Sequence, residues 1–198
     1  FKDVLETDLQ SDIDVLKRIK KMWDEIDYDP KIKEFVNQLK TDKLLKKQKL
    51  LIFTESKETA EYLYENLSEK FADECLMYHG GSKKKELNTV IANFDAKAKK
   101  PENNYRILIA TEVLSEGINL HRSNVVINYD IPWNPTRMIQ RVGRVNRVDT
   151  KFKEVYTYNF FPTEQANNLI KLKEAAVAKI GYFIEMLGND AQLLTDGE

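Results

Sequence analysis

Leu50-Leu51-Ile52-Phe53-Thr54-Glu55-Ser56 is an apolar run that stops in a polar turn, and behind it Ala60, Leu63, Tyr64 and Leu67 recur at threes and fours. Consecutive apolar residues of this kind suit a strand buried on both faces, as in a parallel sheet. The period behind it is that of a helix. Ser56 is placed to accept hydrogen bonds as the N-cap of that helix. The unit then repeats. Cys75-Leu76-Met77-Tyr78 leads through His79-Gly80-Gly81-Ser82 into a helix with Leu87, Val90, Ile91 and Phe94 inward. Arg106 to Ala110, Val125 to Tyr129 and Val155 to Phe160 read as three more strands. Strands alternating with helical periods predict an α/β fold, a parallel sheet wrapped by helices on both faces.

Outward from this core, Leu9, Ile13, Leu16, Ile19, Trp23 and Ile26 mark an amphipathic helical arm. Asp29-Pro30 then predicts an N-cap with proline in the first helical turn, opening a helix through Ile32, Phe35, Val36 and Leu39. Asp95 to Asn104 has no apolar period and reads as an exposed loop. Thr163 to Leu187 carries the spacing of a long C-terminal helix. The expected organisation is a helical arm or linker at 1–28, a sheet domain at 29–165 and a helical extension at 166–198.

Composition narrows the function. Lys and Arg total 31 against 32 Asp and Glu, so bulk charge does not coat this chain in nucleic acid, and any such contact needs local patches. The lone Cys75 cannot form an internal disulfide, and His79 and His121 lie too far apart for a metal cluster, so no metal site is expected. No run of about 18 apolar residues occurs, and Phe1-Lys2-Asp3-Val4 resembles neither a charged leader nor a signal core. The expectation is a soluble, cytoplasmic piece of a longer polypeptide.

In doubly wound sheets ligands gather beyond the carboxyl ends of the strands. Thr54, His79-Gly80, Thr111 with Gly117 and Asn119, and Asp130 to Asn134 all follow strand ends. The sharpest constellation is Gln140-Arg141-Val142-Gly143-Arg144-Val145-Asn146-Arg147. With Arg137, its arginines are spaced four, three and three, which on a helix puts them on one face. Guanidinium groups crowded together repel unless an anion lies among them, and a phosphate chain suits their forked donors. A basic surface helix paired with nearby Glu and Asp is the other reading. Gly143 favours the first, because a mid-helix glycine costs roughly 1 kcal/mol and points to a close approach. There is no G-x-x-x-x-G-K-[ST] loop, so a nucleotide served by these arginines needs its phosphate cradle elsewhere.

Gln140-x-x-Gly143-Arg144-x-x-Arg147 resembles helicase motif VI, Ala110-Thr111-Glu112 through Ser115-Glu116-Gly117-Ile118-Asn119-Leu120 resembles motif V, and Leu51-Ile52-Phe53-Thr54 resembles motif IV, in the family's order. Asn128 to Pro135 resembles the run that precedes motif VI in the Swi/Snf-like branch, although Val148-Asp149-Thr150 stands where that branch usually continues Gly-Gln. The resemblance, covering roughly Asp29 to Thr163, implies the C-terminal RecA-like lobe of a superfamily-two helicase or translocase. It implies ATP with Mg2+, bound mainly by a P-loop lobe of the same polypeptide, and a nucleic-acid track, DNA rather than RNA. Arg144 and Arg147 would be the catalytic arginines, one of them the finger, with Gln140, Gly117 and Asn119 on the nucleotide side. Thr54, His79, Gly80 and Thr111 would meet the nucleic-acid backbone. The isolated piece would hydrolyse no ATP. The competing expectation is a non-catalytic RecA-like module that holds nucleic acid or an acidic protein statically.

Overall fold

A computed structural model describes residues 2–115, 118–134, 136–146, 150–161, 163, 171 and 173–178. The chain divides into two compact units, Phe1–Asn37 and Gln38–Glu198. In the first, α1 (Lys2–Asp24) is the helix the periodicity predicts, and its stripe from Leu5 through Leu9, Ile13, Leu16 and Ile19 to Trp23 is exposed. Asp29 caps the next helix, α2 (Pro30–Thr41), its Oδ1 accepting the Lys31 and Ile32 N–H groups at 2.8 and 3.2 Å.

The second unit is built on β1 (Leu50–Thr54), β2 (Cys75–Tyr78), β3 (Ile107–Thr111), β4 (Val125–Asn128) and β5 (Tyr156–Asn159). They form one sheet in the order β2-β3-β1-β4-β5, parallel at every pairing. Each lies within about one residue of its expected run. The helices are α3 (Lys57–Phe71), capped by Ser56, whose Oγ accepts the Thr59 N–H at 3.0 Å, α4 (Lys84–Phe94) and α5 (Thr136–Gly143). The chain moves one way across the sheet from β1 to β2 and the other way from β2 to β3 and from β4 to β5. Right-handed crossovers therefore place α3 on one face and α4 and α5 on the other.

Side chains alternate accordingly. Leu51, Phe53, Leu108, Ala110 and Val126 pack into one buried cluster with Val90 and Phe94 of α4 and with Leu114, Leu120 and Val145. Leu50, Ile52, Ile107 and Ile109 bury the opposite face, where α3 contributes Ala60, Leu63 and Leu67. Register brings strand ends level: Thr54 pairs with Thr111, and Phe53 with Asn128. The expected C-terminal helix lies mostly outside the described residues, of which 173–178 are helical. Among the described residues no helix is long and apolar enough to cross a membrane.

Candidate functional site

Connections leave β1 and β4, neighbours in the sheet, in opposite directions, so the crevice beyond their carboxyl ends is a topological switch point. It is filled by Arg141. This side chain is completely buried, and its guanidinium lies 5.2 Å from the centre of the Phe53 ring. Nη2 donates to Glu55 Oε1 and Glu112 Oε2, both at 2.6 Å; Nε reaches Glu112 Oε2 at 3.2 Å; Nη1 donates to Asn128 Oδ1 at 2.7 Å. Asn128 is itself held by donating to Asn159 Oδ1 at 2.7 Å. The Asp130 carbonyl lies 3.5 Å from Nη1. A guanidinium carries five N–H donors, and here the residues just after β1 and β3, with the last residue of β4, supply its acceptors. Arg137 joins from the preceding helical turn, its Nη1 2.9 Å from Glu55 Oε2. The cluster bolts α5 to the ends of β1, β3 and β4.

This geometry corrects the expectation of four arginines facing one anion. Arg137 and Arg141 do converge, but on carboxylates, so the paired-helix reading describes them. Gly143 is the last residue of α5 rather than a mid-helix break, and a Cβ there would meet nothing within 4 Å, so no close approach explains it. Arg144 follows in the turn beyond the helix, its N–H donating to the Arg141 carbonyl at 3.2 Å. Its own carbonyl accepts the Leu120 N–H at 2.9 Å. That bond ties the end of motif V to the segment that carries Arg144, whose side chain is half-buried. Gln140 is exposed on α5 and Asn119 half-buried. Gly117 and Arg147 lie outside the described residues.

The other strand ends are loops of defined shape. His79 Nδ1 accepts the Gly81 N–H at 3.0 Å, the His79 N–H donates to Ser82 Oγ at 3.0 Å, and the Ser82 N–H returns to the His79 carbonyl at 2.9 Å. A Cβ on Gly80 would come within 3.3 Å of Val113 Cγ2, so glycine lets this turn lie against the 3-10 turn Glu112–Ser115 after β3. His79 and Gly80 thus sit at the surface beside motif V. Thr54 does not: it is fully buried, and its hydroxyl donates to the Asp130 carboxylate, which leaves no hydroxyl for a phosphate backbone. Thr111 is also buried, 7% exposed.

Residues 30–149 match the family described as helicase conserved C-terminal domain. The chain belongs to that family. It is 34% identical over 155 residues to a Bacillus subtilis protein named as an uncharacterized ATP-dependent helicase, YqhH, spanning 77% of this chain and 26% of the relative. It is 32% identical over 136 residues to the ATP-dependent RNA helicase ddx46 of Dictyostelium discoideum, spanning 68% and 11%. The helicase C-terminal domain is thus a minor part of these relatives' length. Among solved structures, the C-terminal part of the Fun30 ATPase domain superposes with a TM-score of 0.60 at 24% identity, over 74% of this chain and 45% of that one. Saccharomyces cerevisiae Dbp5 bound to RNA and ADP BeF3 superposes with a TM-score of 0.55 at 26% identity, over 74% and 36%.

These matches establish a RecA-like helicase C-terminal domain of superfamily two. They do not single out the Swi/Snf-like branch, since RNA helicases and the Fun30 ATPase both appear, and they withdraw the preference for DNA over RNA. Within the domain, sequence reasoning missed Glu55 as a site residue, placed Asp130 among the strand-end residues without a role, and took Asn128 and Glu112 only as parts of motifs. A signal was present: carboxylates follow β1 and β3 directly and β4 after one residue, at the carboxyl end of the sheet where ligands gather. As for a nucleotide, the helicase domain carries the half-buried Arg144 and the exposed Gln140 amide in motif VI but has no P-loop, and its described residues hold no metal-ligand cluster. These donors suit phosphate oxygens but do not by themselves make a nucleotide cradle.

Proposed function

We propose that this chain is the second motor lobe of an ATP-dependent helicase or translocase, acting with a P-loop lobe of the same polypeptide. The observation that carries this reading is the anchored motif VI: Arg141 fixes α5 at the switch point, and the Leu120 bond to the Arg144 carbonyl fixes the turn from which Arg144 emerges. In this reading Arg144 serves the partner lobe from a backbone already positioned, so little reorganisation of the main chain is needed when charge develops. ATP with Mg2+ supplies the phosphoryl group whose transfer drives the cycle. Arg144, with Arg147, places positive charge beside that group as negative charge accumulates, the role of an arginine finger. Gln140 and Asn119 serve the same side. His79 and Gly80, at the surface beside motif V, line the nucleic-acid track, where contacts to phosphate are independent of sequence and weaken with salt.

Curated relatives named as RNA helicases make RNA the first track to test and duplex DNA the second. The test is ATP hydrolysis by the intact parent polypeptide, wild type and Arg144→Ala, with single-stranded RNA, single-stranded DNA or duplex DNA. The expected result is stimulation by one polymer and a loss of about a thousandfold in the variant, the range of an arginine finger. Turnover unchanged by Arg144→Ala refutes the assignment. The isolated chain is expected to hydrolyse no ATP. No observation favours the static interaction module.

A further inference from the structure

At the opposite end of the sheet from Arg141, before β1, β4 and β5 begin, lies a cavity of about 480 Å³ walled by Lys47, Lys49, His121, Arg122, Lys151 and Phe152. Its size falls within the roughly 300 to 1,000 Å³ of small-molecule sites. Among the described residues none that lines it is a carboxylate, and none of its four cations forms an ion pair. Arg122 spends its guanidinium on carbonyls, donating to those of Ala92 and Glu102 at 3.0 and 2.6 Å, and reaches Asn103 Oδ1 at 3.4 Å. Lys49 donates to the Tyr105 carbonyl and lies 4.7 Å from the centre of the Phe94 ring. Among the described residues, positive charge is therefore brought together here with no carboxylate in the wall. Burial first, then repulsion from Arg122 and Arg106, lowers the Lys49 ammonium to about 8.

The second observation is His121. It is 3% exposed, yet neither ring nitrogen makes a hydrogen bond. The Asp95 carboxylate stands 3.7 Å from Nε2, beyond hydrogen-bonding reach, and is not part of the cavity wall. Buried polar side chains are nearly always bonded, and an imidazole left open on a cationic cavity is a donor in want of an acceptor. The wall is braced: Thr150 Oγ1 lies 3.5 Å from the His121 carbonyl, the Phe152 N–H 3.4 Å from Thr150 Oγ1, and the Arg122 N–H donates to the Phe94 carbonyl at 3.1 Å.

We propose that this cavity binds a small organic phosphate, its phosphoryl oxygens among Lys47, Lys49, Lys151 and an N–H of His121, and its apolar portion against Phe152. A phosphoryl group offers several strong acceptor oxygens to as many donors. Phe152 and Pro101 provide the apolar surface that inorganic ions would not use.

The chain has only two histidines, so imidazole NMR resolves the site, with His79 as an internal control. Phenyl phosphate, inorganic phosphate and potassium chloride are titrated at matched ionic strength. The expected result is a saturable shift of His121 alone, tighter for phenyl phosphate than for inorganic phosphate, and weakened about tenfold when Lys151→Ala removes one charge-assisted contact. Lys151 is exposed, so that variant keeps its fold; Lys49→Gln is the second and should weaken binding further. An unmoved His121, an equal response to chloride, or binding untouched in both variants overturns the proposal. A His121 shift produced only by a single-stranded RNA oligonucleotide overturns it too, and assigns the cavity to nucleic acid.

Discussion

Replacing Arg141 with methionine keeps a long side chain in the space but deletes the cation that Glu55 and Glu112 share. In the folded protein those carboxylates are 31% and 22% exposed, whereas Arg141 is not exposed at all, so little water reaches the gap. Removing one partner of a buried ion pair typically costs about 3 to 5 kcal/mol, because the remaining charge stays desolvated without compensation. For a domain of this size each kcal/mol lowers the melting midpoint by roughly 2 to 4 °C. A fall of about 6 to 20 °C in Tm is therefore expected, measured by circular dichroism alongside urea unfolding, within a total stability of roughly 5 to 15 kcal/mol. Arg141→Lys separates charge from shape: it keeps the cation but has three N–H donors in place of five, so its loss should be smaller yet clear. A double-mutant cycle with Glu112→Gln should give a coupling of about 0.5 to 3 kcal/mol. If Arg141→Met costs less than about 1 kcal/mol, the range of an exposed pair, the cluster does not hold α5 and the argument fails.

Gly143→Ala should raise stability by roughly 0.5 to 1 kcal/mol, since the added Cβ meets nothing within 4 Å and alanine is the better helix former; a lower Tm would show that the glycine is required. Lys49 carries a pH signature. Its folded pKa, about 8, lies below the ordinary 10.5. Between these values the unfolded chain holds a proton that the folded chain has released, so stability rises with pH. Wild type should gain on Lys49→Met from pH 8 towards 10.5, and a flat difference in urea midpoints across that window refutes it. Cys75 is 3% exposed, and burial pushes its thiol up to about 11. It should resist a thiol reagent at pH 8 in the folded chain and react fully in urea, whereas rapid labelling of the native form would contradict its placement.

The sheet was legible in sequence because a strand buried on both faces must be apolar throughout. Leu50 to Phe53 and Val125 to Tyr129 have no other stable home in a soluble domain. Caps were legible for a similar reason: Ser56 and Asp29 act on backbone N–H groups two or three residues away, a local interaction that spacing alone specifies. The order of the motifs was equally a property of the chain, and it pointed to the helicase C-terminal domain before any coordinate did.

What spacing could not decide was what stands opposite a side chain. Arg137 and Arg141 share a helical face in any reading, but only the sheet order β2-β3-β1-β4-β5 brings Glu55 and Glu112, which are 57 residues apart, to the guanidinium they share. Thr54 looks available at a strand end until Asp130, 76 residues later in the chain and just past the neighbouring strand β4, takes its hydroxyl. The cavity at His121 is assembled the same way, from the segments ahead of β1, β4 and β5. Local periodicity and capping follow from interactions within a few residues along the chain, which the sequence by itself determines. Pairings of charge across tens of residues depend on which strands become neighbours, and that was decided only when the sheet closed its register.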